Sequence, residues 1–86
     1  MPDVALSLQI PASATWIKVH YAMKPIKPGA DLIARLWSGS VEDAVVIKGE
    51  SGDAFVKLGI PKHLSYQRPV TVDLKIKIVA YKAEAD

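Results

Sequence analysis

The side chains that could support acid–base or metal chemistry are few and scattered along this chain. His20 and His63 are the only two histidines, and the chain has no cysteine. Histidine serves as a general base or a metal ligand, but a structural zinc site needs four ligands. No further ligand stands at suitable spacing from either histidine. We therefore interpret them as one sheet-surface and one loop histidine, and predict no metal and no cofactor.

The acidic residues form two short clusters, Glu42 with Asp43 and Glu50 with Asp53. Calcium loops supply more oxygen ligands around a sharp turn than the segment GESGD does. Paired carboxylates for glycoside hydrolysis would need a cleft, which so small a domain rarely encloses. No serine lies in a nucleophile elbow. We therefore predict that the protein is not an enzyme and has no catalytic residues.

The basic residues show no run that would mark a nucleic-acid-binding segment. Eleven basic and nine acidic residues are spread along the whole chain, giving a net charge of only +2. Convergence of loops beside the last strand could still build a basic face, but lysines also solvate exposed strands and protect sheet edges. Nucleic acid is therefore an unlikely partner on the sequence alone. The residues that such a face would use are Lys24, Lys27, Lys62, Arg68, Lys75 and Lys77, with Tyr66 and Tyr81 as aromatics.

The clearest structural pattern lies near the end of the chain, from Val70 to Tyr81 (VTVDLKIKIVAY). Apolar residues alternate with polar ones, which is the period of a strand with one dry face. The apolar face is predicted to hold Val70, Val72, Leu74, Ile76, Ile78 and Ala80. Such a strand cannot offset its backbone entropy alone, so it must pair with others.

Shorter alternating segments predict the strands that would pair with it. The first runs from Val4 to Ile10 and ends at Pro11, which has no N–H to donate. The second, Thr15 to Met23, is predicted to bury Ile17, Val19, Tyr21 and Met23. The segments Ala44–Lys48 and Ala54–Leu58 flank a glycine-containing loop and are predicted to form a β-hairpin. Gly59 to Pro69 is predicted to be a connector or a crossing between sheets, with a short strand or turn near Leu64.

The segment from Asp31 to Trp37 (DLIARLW) fits two structures. As a helix it would be capped by Asp31 and ended by Gly39. As a strand it would point Leu32, Ala34 and Leu36 inward and Ile33, Arg35 and Trp37 outward. Its shortness and its strand-rich neighbours favour the strand.

Together these segments predict a single all-β domain spanning residues 1–86. About six or seven strands with regular turns are typical of a small antiparallel β-sandwich, immunoglobulin-like or jelly-roll-like in arrangement. The longest apolar run is about four residues, far below the ~20 that a membrane-spanning helix needs. Asp3 replaces the basic flank of a signal peptide, and Gln9 and Pro11 interrupt its apolar run. We therefore predict synthesis in the cytoplasm without a signal peptide.

Several large apolar residues remain once each strand's core face is assigned. On a lone domain these positions would favour polar groups, so they are candidates for a protein interface. If a strand is covered on both faces, most of them are core instead. The candidates are Trp16, Ile33, Trp37, Val79 and Tyr81.

The composition favours assembly over chemistry. Half of the residues are hydrophobic, and a chain of this length without disulfides has a thin margin of stability that association would widen. We predict a non-enzymatic structural protein that docks onto itself as a homo-oligomer or onto a larger scaffold, with a virion component such as a bacteriophage capsid-decoration protein as one setting. The alternatives are a carbohydrate-binding module that uses Trp16 or Trp37 and a small protein inhibitor of a macromolecular partner.

Overall fold

In the computed structural model, residues 3–5, 10–60 and 62–83 are described, and their strands form two antiparallel sheets. A four-stranded sheet has the order β1-β6-β3-β4, and a three-stranded sheet has the order β5-β2-β7. One 3-10 turn, Val41–Asp43, is the only helical element in these ranges. The predicted small antiparallel β-sandwich is therefore confirmed. The strands are β1 (Asp3–Ala5), β2 (Ala14–Pro25), β3 (Ile33–Trp37), β4 (Val45–Lys48), β5 (Ser51–Lys57), β6 (Leu64–Gln67) and β7 (Val72–Ala83).

β2 is the middle strand of the three-stranded sheet. It pairs with β5 on one side and with β7 on the other. Its predicted inner face is confirmed, because all four of its members are buried. They pack against residues of the other sheet, which include Ala34, Leu36, Ile47 and Leu64.

β7 is an edge strand, and its sequence pattern does not show this. The strand was predicted to begin at Val70, but it begins at Val72. Val70 is 88% exposed, because it lies in a turn closed by the hydrogen bond from Val72 N to Pro69 O at 3.1 Å. Val72 is fully buried. Leu74, Ile76 and Ile78 point the same way but are only half-buried.

A β-bulge at Val79 corrects the predicted face of the last residues of β7. Val19 pairs with Ile78 and Lys18 with Ala80, so Val79 has no partner on β2. An extra residue in one strand reverses the inside–outside alternation beyond it. Ala80, predicted to be inward, therefore lies on the outer face and is exposed, whereas Tyr81 shares a side of the sheet with buried Ile17.

The ambiguous segment DLIARLW contains strand β3, which confirms the favoured structure. Ala34 and Leu36 are buried as predicted. The predicted outward, exposed position of Trp37 is wrong, because only 7% of its surface is accessible. Leu36 and Trp37 are consecutive in an extended strand, so both faces of the end of β3 are covered.

The predicted hairpin of β4 and β5 is wrong, since the two strands belong to different sheets. The connection Gly49–Glu50 is a corner between the sheets. Gly49 adopts a positive φ of 90°, and its N–H donates to Leu32 O (3.0 Å), while Met23 N donates to Glu50 O (2.7 Å). These two bonds attach the corner to one sheet on each side.

A tyrosine strengthens this link between the sheets. The Tyr21 hydroxyl donates to Lys48 O at 2.8 Å, and its ring lies over Gly52, where an added Cβ would come within 2.7 Å of the hydroxyl oxygen. Glycine thus permits the close approach of ring and strand.

β1 and β6 are neighbours in the four-stranded sheet and match the predicted strands in part. β1 begins one residue before the predicted first strand, whose residues 6–9 lie outside the described ranges, and Ile10, its predicted last residue, lies in a bend. β6 confirms the short strand near Leu64, and the preceding segment crosses between the sheets as predicted.

Candidate functional site

The outer surface of the three-stranded sheet gathers lysines from three separate parts of the chain. Antiparallel pairing aligns Trp16 with Lys57 and Lys82, and His20 with Asp53 and Lys77. Paired residues point to the same side of a sheet, and Ile17, Val19 and Tyr21, which flank these outward positions on β2, are buried on the opposite side. We call this outer surface the lysine face, and its charged members are Lys18, Lys24, Lys57, Lys75, Lys77, Lys82, Asp53 and Asp73.

The lysine face carries more positive charge than the whole chain. Six lysines and two aspartates give it a formal charge of +4, with His20 counted as neutral. The net charge of the chain is +2, so the remaining residues together carry −2. A surface with this excess attracts anions.

An open groove of about 410 Å³ runs across one end of the lysine face. Trp16, Phe55 and Ala80 contribute apolar surface, and Lys18 and Lys82 lie beside them. Trp16 is 40% and Phe55 61% exposed, so both rings are accessible. The Lys18 ammonium lies 5.8 Å from the centroid of the Phe55 ring, within the range of a cation–π contact.

Sequence reasoning missed Phe55, although a signal was present. Ala54 and Val56 are the inward residues of β5, so the alternation within this segment alone assigns Phe55 to the outer face. What the segment could not show is that Phe55 lies near Trp16, because that depends on the register between β5 and β2.

Asp53 connects two basic side chains in the middle of the lysine face. Asp53 Oδ1 lies 2.9 Å from His20 Nδ1, and Asp53 Oδ2 lies 3.8 Å from Lys18 Nζ. The hydrogen bond with His20 is the main reason that the pKa of Asp53 falls below its ordinary value of 3.8, with the charge of Lys18 adding to the effect. All three side chains are well exposed to solvent, so the group orders the surface and forms no enclosed site.

The residues predicted for a protein interface do not form one surface. Trp16 and Tyr81 border the same groove, and Val79 is 46% exposed at the nearby bulge. Ile33, which is 37% exposed, lies on the outer surface of the other sheet beside Val46. Trp37 is buried and contributes to no exposed surface.

The second candidate site is the outer edge of β7. Within the described ranges no strand pairs with β7 on the side away from β2. A strand edge of this kind presents unpaired N–H and C=O groups. Its inward side chains Leu74, Ile76 and Ile78 are half-buried, so the core of the sandwich is incompletely covered along this edge.

No group of three or more histidine, aspartate or glutamate side chains is placed to hold a metal ion in the part of the chain that the structure describes. His20 is engaged with Asp53, and His63 is an exposed residue of the segment before β6. The same part of the chain contains no helix long and apolar enough to cross a membrane.

The chain matches no protein-family model, and neither the curated proteins nor the solved structures include a significant relative.

Proposed function

We propose that the protein is a non-enzymatic structural subunit that assembles with a second copy of itself through the outer edge of β7. The observation that carries this proposal is the contrast between the length of β7, twelve residues, and its pairing on one side only. A long, apolar edge strand is a ready template for the addition of another strand.

Pairing at this edge would also cover apolar surface that one copy leaves accessible. Leu74, Ile76 and Ile78 are half-buried in the single chain. A second β7, added antiparallel about Leu74, would place its own Leu74 and Val72 beside Leu74 and Ile76 of the first copy. Two copies related by a twofold axis use the same strand in this way, and the three-stranded sheets become one six-stranded sheet.

Charge selects one register for this pairing. If Leu74 lies on the twofold axis, Asp73 of one copy faces Lys75 of the other, and this pair occurs twice. If Ile76 lies on the axis instead, Lys75 faces Lys77 twice. With Lys75 on the axis, Asp73 faces Lys77 twice, but Lys75 then faces its own copy, so this register adds one like-charge pair. Opposite charges across strands stabilise a pair by about 0.2–1 kcal/mol, and like charges destabilise it. We therefore assign the register centred on Leu74, in which residues 72–76 of the two strands pair and the rest of each β7 edge extends beyond the overlap.

Charge reversal tests both the assembly and its register. We expect the wild type to form a concentration-dependent dimer in sedimentation equilibrium. Asp73→Lys and Lys75→Asp each turn two attractive pairs into two repulsive ones, so each variant alone should dimerise about ten-fold more weakly, for a loss of about 1.4 kcal/mol. An equimolar mixture of the two variants restores opposite charges at both pairs and should recover the wild-type affinity as a mixed dimer.

The double variant Asp73→Lys/Lys75→Asp is the matched control, because it carries the same two changes in one chain and restores the pairs between like copies. A wild type that stays monomeric at several hundred micromolar would contradict the proposal. Dimerisation that both single variants leave unchanged would place the interface elsewhere. Thermal melting of each variant checks that the fold is retained, since Asp73 pairs with Lys24 within its own chain.

The incorporation of such dimers into a larger scaffold or a virion stays a prediction from the sequence. Electron microscopy of the concentrated protein is the direct check. Regular particles or sheets are the expected result, and a uniform population of isolated dimers would limit the role to a two-copy unit.

A further inference from the structure

We propose that the lysine face binds single-stranded nucleic acid, with lysines contacting phosphates and with bases stacking on Trp16 and Phe55. This binding goes beyond the assembly through β7, and it needs residues of one copy only. It assigns a ligand to the groove that the strand pairing creates.

Lysines lie on both sides of the groove. Trp16 lies in a cross-strand row between Lys57 of β5 and Lys82 of β7. Further along β7 the next outward row holds Ala80 beside Lys18 of β2, and the two rows after it hold Lys77 and Lys75. Successive rows are about 7 Å apart along a strand. Phosphates of a strand laid along β7 would therefore meet a series of ammonium groups. Electrostatic attraction of this type dominates the affinity of proteins for nucleic acid.

Two exposed aromatic rings, Trp16 and Phe55, lie beside these lysines. Phe55 pairs with Lys18 and Trp16 with Lys57, so Trp16 and Phe55 are diagonal neighbours on adjacent strands, whose Cα atoms are typically about 7 Å apart. Both rings are open to solvent on the same side of the sheet. Aromatic platforms beside a basic groove are the usual means of binding single strands without sequence preference.

The combination of positive charge and exposed rings discriminates between classes of ligand. A neutral sugar could stack on Trp16 but would leave the formal charge of +4 on the lysine face uncompensated. An acidic peptide would supply charge but no flat groups for two neighbouring rings. A single-stranded nucleic acid supplies both. Basic and acidic residues are dispersed along the chain, which disfavours this ligand on the sequence alone, but strand pairing gathers an excess of four positive charges on one face.

The direct measurement is the fluorescence anisotropy of a labelled oligothymidylate titrated with the protein. A fully abasic strand of the same length serves as the matched ligand, because it keeps the phosphates and removes the bases. We expect the thymidylate to bind at least ten-fold more tightly than the abasic strand. With about four phosphates contacted, affinity should fall about fifty-fold between 50 and 200 mM salt.

Substitutions separate the roles of rings and charges. Trp16→Ala and Phe55→Ala should each weaken thymidylate binding by about five- to hundred-fold and leave abasic binding nearly unchanged. Lys57→Gln and Lys82→Gln should weaken both ligands and each reduce the salt slope by about 0.7.

Matched controls lie on the outer surface of the four-stranded sheet. Val46 is 51% exposed, and Lys48 is an exposed residue of the same strand. Val46→Ala and Lys48→Gln should change neither affinity nor salt slope. Equal binding of the thymidylate and abasic strands, equal effects of face and control variants, no binding at 50 mM salt, or displacement by a neutral oligosaccharide would each overturn the proposal.

Discussion

The two longest strands, β2 and β7, pair with each other and yet differ in how completely they are buried. Each has twelve residues and an alternating sequence. The four inward residues of β2 from Ile17 to Met23 are at most 8% exposed. On β7 only Val72 is fully buried, and the inward residues that follow are half-buried. Position in the sheet, and not the quality of the pattern, decides how dry a strand becomes.

The physical reason is the number of neighbours. β2 has a strand on each side, and the four-stranded sheet lies over its inner face. β7 has one strand beside it in the described ranges, so water reaches its inner side chains from the outer edge. The same edge position explains how β7 accommodates a bulge, because no second neighbour has to match it.

The largest expected contrast comes from deleting one residue from each strand. Deleting His20 would move Tyr21 and Met23 from the inner to the outer side of β2, which is paired on both sides. We expect loss of cooperative unfolding, measured by circular dichroism during urea titration.

Deleting Val79 should leave the fold intact, because the pairs Val19–Ile78 and Lys18–Ala80 would then follow each other in a regular ladder. A change of only about 1 kcal/mol in the free energy of unfolding is expected. If the two deletions had equal effects, the bulge at Val79 would not be the unpaired residue that the register indicates.

Shortening one inward isoleucine in each strand gives the next contrast. Ile17 is 1% exposed, so Ile17→Ala should lower the free energy of unfolding by about 2–5 kcal/mol. Ile76 is half-buried, and Ile76→Ala should lower it by about half as much, measured by urea denaturation at low concentration. A dimer that covers Ile76 should raise this second value as protein concentration rises, whereas an equal loss at every concentration would count against assembly through β7.

The smallest expected effect is on the pH dependence of stability, and it comes from the hydrogen bond between His20 of β2 and Asp53 of β5. The pKa of Asp53 is lowered in the folded protein, chiefly by the hydrogen bond with His20. The stabilisation by Asp53 is therefore complete above the ordinary pKa of 3.8 and declines as the pH falls through the lowered folded value. The difference in urea midpoint between the wild type and Asp53→Asn should shrink as the pH falls below about 4.

His20→Ala removes the main partner of Asp53. The urea midpoint of this variant should therefore depend less on pH than that of the wild type in the same range. A dependence that persists in this variant would mean that Lys18, and not His20, lowers the pKa of Asp53.

Much of the secondary structure followed from local sequence. The strands β2 and β7 were predicted within a few residues, and the inward residues of β2 were all correct, because side-chain alternation depends only on the pleat of an extended chain. The predicted connector ends at Pro69, two residues before β7 begins at Val72, since a valine beside a proline fits either a strand or a turn.

Contacts between remote segments were beyond local sequence. The corner at Gly49–Glu50 resembles a hairpin loop until Leu32 and Met23 bind its two ends. The same limit applies to Trp37. The alternation within β3 assigns it to the outward side, where it pairs with Ser65, but alternation cannot show that other parts of the chain cover its ring.

The sequence by itself determined an all-β chain with apolar and polar faces along its strands, because alternation, turn residues and prolines act within a few residues of one another. Only the tertiary structure decided which strands became edges, where the bulge reversed the faces, and which lysines lie together. Those outcomes depend on the order and register in which distant strands pair, and the free energies that select them come from contacts that form only when the sheets close on each other.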